Sequence, residues 1–255
     1  MRSDEFQDYL QKDLAWRKME ISQLFMILQS SESKEIVAKS IILLLYAHWE
    51  GFIKKSSKCY IKYISDKNIK LSELTENFEA IMLKKYAIEC IENDSTNLAK
   101  EFDFLIAQRK KANRPFSVKI DLENEFDDKV IDTHHNLSSK VLKNIVQIVG
   151  IEHNEAMQTR KQYLDSNLVN NRNTIGHGSV LKSEEGNASP IEYACVAKLK
   201  DFVLSMLDYY SDVLIKYVED ELYLVVNGEK RNQFEAEQYE KLSQKLKAVE
   251  SREIL

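Results

Sequence analysis

The sequence predicts an all-α protein, an up-and-down bundle of long helices. Glycine and proline are scarce, at six and two among 255 residues, so the chain has few places to reverse direction. Apolar residues recur at helical spacing through long segments. A composition of 44% hydrophobic and 30% charged residues is typical of a soluble globular protein.

The first two predicted helices form the N-terminal part of the bundle. The first runs from about Glu5 to Gln29 and ends at the polar break Ser30–Ser33. The second, from about Lys34 to Ile64, is strongly apolar and should be the most buried. Its longest apolar run, Ile41–Ala47, is much shorter than the roughly 20 residues that cross a bilayer. We therefore expect a cytoplasmic protein without a membrane partner.

Five further helices are predicted, each beginning at a serine or an asparagine. Their predicted ranges are 72–93, 95–108, 138–149, 154–171 and 189–219. Gly150 closes the third of these. The clearest signal for a helix start is Ser189-Pro190-Ile191-Glu192, which combines a capping serine, a proline at the first helical position and a following glutamate.

Two segments depart from the helical pattern. Alternating apolar residues predict a short extended insertion around 115–123. The run Leu222–Val226 predicts a strand or an extended arm, followed by a polar helix that could bind a partner. We accordingly divide the chain into a helical domain, 1–220, and a C-terminal extension, 221–255.

Charge excludes some classes of partner. With a net charge of −5, the protein has no global attraction for nucleic acid, so DNA is not an expected partner. A local basic site remains open, because Lys54, Lys58 and Lys62 share one face of the second helix. Contact with RNA phosphates is one interpretation of this stripe, and a solvated helix surface is the commoner one.

Cysteines and histidines do not predict a cofactor. Cys59, Cys90 and Cys195 are odd in number and widely spaced, as expected of reduced core thiols. His134 and His135 are adjacent and point apart in a helix or strand, and no pair at zinc-binding spacing completes a set. We expect neither a metal nor a cofactor.

The most informative segment, Arg172-Asn173-Thr174-Ile175-Gly176-His177, places an arginine five residues before a histidine. Histidine, with an unperturbed pKa of about 6.5, exchanges protons near neutral pH, and arginine binds phosphate oxygens. On a continuous helix the two would point about 140° apart, so we expect a break supplied by Gly176 and Gly178. The pattern suits phosphodiester chemistry, although the spacing alone is a weak signal.

Four polar residues are candidates to support this pair. Asn173 could orient the histidine or the scissile phosphate, whereas Asn171 is better explained as a helix-end residue. Asp165 precedes Arg172 by seven residues and could hold its guanidinium from the same helix face. Glu50 lies in the apolar second helix, where a carboxylate should be paired or line a cavity.

Four separated segments, in order along the chain, resemble the HEPN superfamily and its MAE-like branch. They are Leu14–Ile21, Leu43–Lys54, Thr133–Leu142 and Leu164–Gly178, the last of which contains the Arg-x4-His motif. The similarity covers most of the chain from Asp4 to Tyr217. Four ordered segments are much more specific than one motif.

The resemblance implies an all-helical domain that forms a homodimer, in which the two motifs face one cleft. It implies a metal-independent endoribonuclease that attacks through the ribose 2′-hydroxyl and acts as a toxin or phage-defence effector, with an antitoxin or defence partner protein. The tyrosine through which some HEPN toxins are silenced is replaced by Ser179. The alternative is a non-catalytic HEPN-type module that binds RNA or a protein.

Overall fold

The all-α prediction is confirmed by a computed structural model that describes residues 1–92, 98–110, 113–179 and 192–252. These residues contain ten α-helices and no β-strand. The helices are α1 (Ser3–Ser30), α2 (Lys34–Asp66), α3 (Glu76–Ile91), α4 (Ala99–Lys110), α5 (Ser139–Val149), α6 (Glu155–Gln158), α7 (Lys161–Leu164), α8 (Asn171–Gly176), α9 (Tyr193–Glu219) and α10 (Gly228–Ser251). The predicted caps Ser95 and Ser189 lie outside the described residues.

The central helix is α2, which packs against α1, α5, α8 and α9. Trp49, Phe52 and Tyr60 from this helix are fully buried in the core. By length and composition α2 could also cross a bilayer, but 50% of its most apolar window is buried inside the fold. Packing against four helices accounts for its apolarity.

The segment predicted as one helix over 154–171 is interrupted. Asn154 caps α6 by accepting the Met157 N–H, but α6 and α7 are short, and Asp165–Asn170 forms a π-helical segment before α8. The side-chain amides of Asn167 and Asn171 each donate to the carbonyl four residues earlier, at 3.0 Å. Such bonds compete with the backbone N–H for the same carbonyl, which favours the wider π turn.

The segment 115–123 is a packed loop. Phe116 donates its N–H to the Ile69 carbonyl at 2.8 Å, and its buried ring meets Phe78 edge to face. Val118 donates its N–H to Ser65 Oγ at 2.9 Å. These bonds hold the loop against the C-terminal end of α2.

The C-terminal extension packs on the helical domain. The prediction of a strand or an extended arm at 222–226 is wrong, since residues 222 and 223 form a turn, Leu224 makes an isolated bridge to Leu74 and a 3₁₀ turn follows at Val225–Asn227. Helix α10 lies along α9 and contributes Leu242 and Leu246 to the hydrophobic core. The domain boundary at residue 220 stays a prediction.

Candidate active site

Arg172 and His177 lie on one uninterrupted helical segment. Helix α8 runs through Gly176, and His177 is its C-cap, so the break predicted between the arginine and the histidine is wrong. The helix ends after the histidine, where Gly178 adopts a φ of 69°. Gly178 donates to the Ile175 carbonyl and Ser179 to the Thr174 carbonyl, the paired bonds of a Schellman turn.

The two side chains have different surroundings. The guanidinium carbon of Arg172 lies 4.4 Å from the ring centroid of Tyr46 on α2, and Nη1 donates to Asn173 Oδ1 at 2.8 Å. Arg172 is half-buried, whereas His177 is exposed. The cation is therefore held against the bundle while the imidazole is open to solvent.

Tyr46 is itself held through its hydroxyl group. Its hydroxyl oxygen accepts the Leu137 N–H at 2.7 Å, and the Leu137 carbonyl accepts from Trp49 Nε1 at 3.1 Å. Burial, followed by the charge of Glu50, raises the pKa of Tyr46. Glu50 thus lies near the residue that contacts Arg172, and its supporting role stays a prediction.

Asp165 does not hold Arg172. Its carboxylate accepts the Ser139 N–H at 2.7 Å and the Ser139 hydroxyl at 2.5 Å, so it binds the first turn of α5. Residues seven positions apart share one face of a regular α-helix, but Asp165 and Arg172 do not, because the π segment changes the rotation between them. Asn171 donates to the Asn167 carbonyl, which agrees with its interpretation as a helix residue.

A family comparison decides the classification. The family model described as HEPN_MAE_28990-like HEPN matches residues 6–223. The chain belongs to this HEPN family. Domains of this family are often ribonucleases. No curated protein and no solved structure matches the chain.

The basic stripe of this HEPN domain is covered. Lys58 is buried and donates to the Asn124 carbonyl at 2.8 Å, and burial lowers its pKa. Lys54 pairs with Asp128 at 2.5 Å, and Lys62 pairs with Asp66 one turn away. The structure therefore corrects the expectation of an RNA-binding stripe, since Lys54 and Lys58 contact the loop at 124–128.

The histidines and cysteines that were considered as possible ligands are dispersed. His134 pairs with Asp132 at 3.1 Å in a loop, and within the described parts of the HEPN domain no three His, Cys, Asp or Glu residues group as metal ligands. Cys59 is buried, which raises its pKa to about 12. Cys90 is only partly buried and Cys195 is exposed, so the expectation of three core thiols is wrong.

Sequence reasoning missed two features of this HEPN domain. One is Tyr46, whose only sequence signal is its position one turn before Glu50. The other is a buried polar cluster between α1 and α2, in which His48 contacts Arg17 at 3.3 Å and Glu20 at 2.9 Å. Arg17 also pairs with Asp13 at 2.7 Å. This cluster joins the two helices.

Proposed function

We propose that this HEPN domain is a metal-independent endoribonuclease whose site is completed by a second copy of the chain. The observation that carries the proposal is the arrangement on α8, where Arg172, stacked on Tyr46, lies five residues before an exposed His177. The guanidinium has a fixed position in which to bind a phosphate, and the imidazole is free to reach a substrate.

Cleavage through the ribose 2′-hydroxyl needs three things. The hydroxyl must lose a proton, the leaving 5′-oxygen must gain one, and the extra charge on phosphorus must be neutralised. His177 would transfer protons and Arg172 would balance the charge, while Asn173 holds the guanidinium through the 2.8 Å bond. The products would be a 2′,3′-cyclic phosphate and a 5′-hydroxyl.

Helix geometry supports a composite site. Because α8 is regular from Arg172 to Gly176, the arginine and histidine of one copy leave the helix about 140° apart. One imidazole also cannot readily act as base and acid in the same step. Two copies facing one groove would supply two of each group.

The proposal extends to the biological setting. RNA is the substrate, and DNA resists cleavage because it lacks the attacking hydroxyl. We propose a cytoplasmic toxin or phage-defence effector that is restrained or triggered by a partner protein.

The test is incubation of transfer and messenger RNA with purified protein in EDTA, followed by analysis of the product ends. His177→Ala and Arg172→Ala should each reduce cleavage by about 10²-fold or more. His135→Asn is the matched control, since His135 is an exposed histidine with a φ of 56° that asparagine tolerates. Intact RNA with the wild type, or equal cutting of DNA, would refute the mechanism.

One observation favours the alternative, a non-catalytic module that binds a partner. Helix α4 exposes Phe102 and Leu105, which are 61% and 42% accessible, on one face. Exposed apolar faces of this kind mark protein-binding surfaces. Intact RNA together with a stable protein complex through this face would support the alternative.

A further inference from the structure

A cavity of about 1000 Å³ lies between α3, α5 and loop residues 118 and 128–134. Cavities of roughly 300–1,000 Å³ are the size that encloses small molecules. Neither Arg172 nor His177 lines the cavity, so it is separate from the candidate active site. It is therefore a candidate site for a ligand other than RNA.

Bonds between the walls hold the cavity open. Asn77 Nδ2 at the start of α3 donates to the Ile148 carbonyl near the end of α5 at 2.8 Å. From this junction the cavity extends forward along α3 to Ile88 and backward along α5 to Val141. The loop wall is tied to α2, because Asp128 pairs with Lys54 at 2.5 Å. The cavity is thus formed by the fold itself, as most small-molecule sites are.

The inner surface of the cavity is mainly aliphatic. Partly buried side chains that also pack on the hydrophobic core supply it, namely Ile81, Val118, Val130, Val141 and Ile148. Among the described residues that line the cavity there is no Phe, Tyr or Trp. A planar base would find no aromatic ring on which to stack, whereas a flexible hydrocarbon chain can follow an aliphatic surface.

The carboxylates at the cavity already have partners. Glu89 pairs with Lys100 at 3.6 Å, and Asp128 is held by α2. Asp132 accepts the His134 N–H at 2.7 Å and lies 3.1 Å from its Nδ1. These carboxylates therefore do not attract a cationic ligand strongly.

Two lysines give the cavity a surplus of positive charge. Lys84 on α3 and Lys129 in the loop line it from different walls, and both are exposed. Within the described parts of the chain, neither ammonium group forms an ion pair. Even if the carboxylate of Asp132 is counted against these two lysines, one positive charge remains. The cavity thus combines an aliphatic surface with cations that an anion can bind.

We propose that this cavity binds an amphipathic small molecule, an alkyl chain that carries one anionic head group. The chain lies on the aliphatic surface between α3 and α5, and the head group is bound by Lys84 and Lys129. Each methylene buried there should tighten binding roughly 3- to 4-fold. The inference does not depend on the proposed nuclease.

The experiment is isothermal titration calorimetry of the full chain with decanoate, at concentrations below micelle formation. Decanoate should bind with a micromolar Kd. Octanoate, which has two fewer methylenes, should bind about 10-fold more weakly. Decanol and decyltrimethylammonium have the same chain without the negative charge, and should also bind at least about 10-fold more weakly than decanoate.

Three variants test the position of the ligand. Lys84→Gln/Lys129→Gln should weaken decanoate about 10-fold and leave decanol nearly unchanged. The matched control is Lys140→Gln/Lys143→Gln, which removes two exposed lysines of α5 that do not line the cavity, and decanoate should bind it normally. Ala80→Trp should fill the cavity and abolish binding of decanoate. Ala80 is exposed, so the fold should persist, which circular dichroism checks.

Four results would overturn the proposal. They are no binding of decanoate by the folded wild type, equal affinity for decanoate and decanol, full binding by folded Ala80→Trp, and equal losses in the two double lysine variants. RNA cleavage is not part of this readout. Failure of the nuclease would leave the cavity test unchanged, and failure of decanoate binding would leave the nuclease test unchanged.

Discussion

The guanidinium of Arg172 lies 4.4 Å from the centroid of the Tyr46 ring, across the junction of α8 and α2. Tyr46 also accepts the Leu137 N–H, so one tyrosine joins the motif helix, the central helix and the loop before α5. The motif is therefore supported by a residue more than 100 positions earlier in the chain.

Two replacements of Tyr46 should separate the effect of its ring on cleavage from the effect of its hydroxyl on stability. Tyr46→Leu removes the stacked ring, a contact worth about 1–2 kcal/mol when partly desolvated, and should lower kcat/KM for RNA roughly 5- to 30-fold. Tyr46→Phe keeps the ring but leaves the Leu137 N–H without its acceptor, and should cost about 1–2 kcal/mol of stability with near-normal cleavage per folded molecule. Urea unfolding and single-turnover cleavage measure the two effects. Equal cleavage by both variants would exclude a role for the stacked ring.

Asp165 should matter for stability and not directly for cleavage. Asp165→Asn weakens the bonds to the Ser139 N–H and hydroxyl, and should reduce the free energy of unfolding by about 1–2 kcal/mol. Cleavage per folded molecule should be unchanged. Because Ser139→Ala removes the same hydroxyl bond, the double variant should show less than the sum of the single losses. Lost cleavage at unchanged stability would instead connect Asp165 to Arg172.

The two glycines beside His177 should respond in opposite directions. At helical Gly176 an added Cβ meets no atom within 4 Å, so Gly176→Ala should be neutral or stabilising by up to about 1 kcal/mol. Gly178 has a φ of 69°, so Gly178→Ala should cost about 1 kcal/mol and loosen the turn that positions His177. Thermal unfolding and RNA cleavage test both variants. Cleavage lost in Gly176→Ala would mean that RNA approaches the backbone there.

Stability should fall in mild acid because of His48. Burial, followed by the charge of Arg17, lowers the pKa of His48, while Glu20 and Asp13 oppose the shift. A lowered histidine pKa means that the unfolded chain binds the proton more readily. The contribution of neutral His48 to the free energy of unfolding is complete above about pH 6.5 and is lost as the pH falls below that value. Urea midpoints at pH 7.5 and pH 5.5 should differ more for the wild type than for His48→Gln, and parallel losses would contradict this assignment.

Local signals in the sequence predicted most helix positions. Periodic apolar residues placed α1 and α2 within two residues of their ends, and Ser138 and Gly150 correctly bounded α5. These features depend on neighbours within one or two turns, which the sequence displays directly.

Some of the errors have a different cause, which is contact between distant segments. The sequence predicts Lys58 as a surface residue, whereas in the structure the loop near Asn124 covers it. Asp165 seemed aligned with Arg172 until Ser139 was found to bind it. The candidate residues Arg172 and His177 were visible as a motif, but Tyr46 became relevant only once α8 packed on α2. The catalytic role of Arg172 and His177 stays a prediction.

The π-helical segment at Asp165–Asn170 makes the direction of Arg172 depend on residue count. A wide turn of this kind holds one more residue than an α turn, so deletion of a single residue there would restore regular winding. Residues downstream would keep their direction, because the wide turn and the regular turn each make one rotation around the helix axis. Deletion of a second residue would swing everything downstream by about 100°, and would turn the arginine away from its aromatic support although Arg172 and His177 stay unaltered in sequence and correctly spaced.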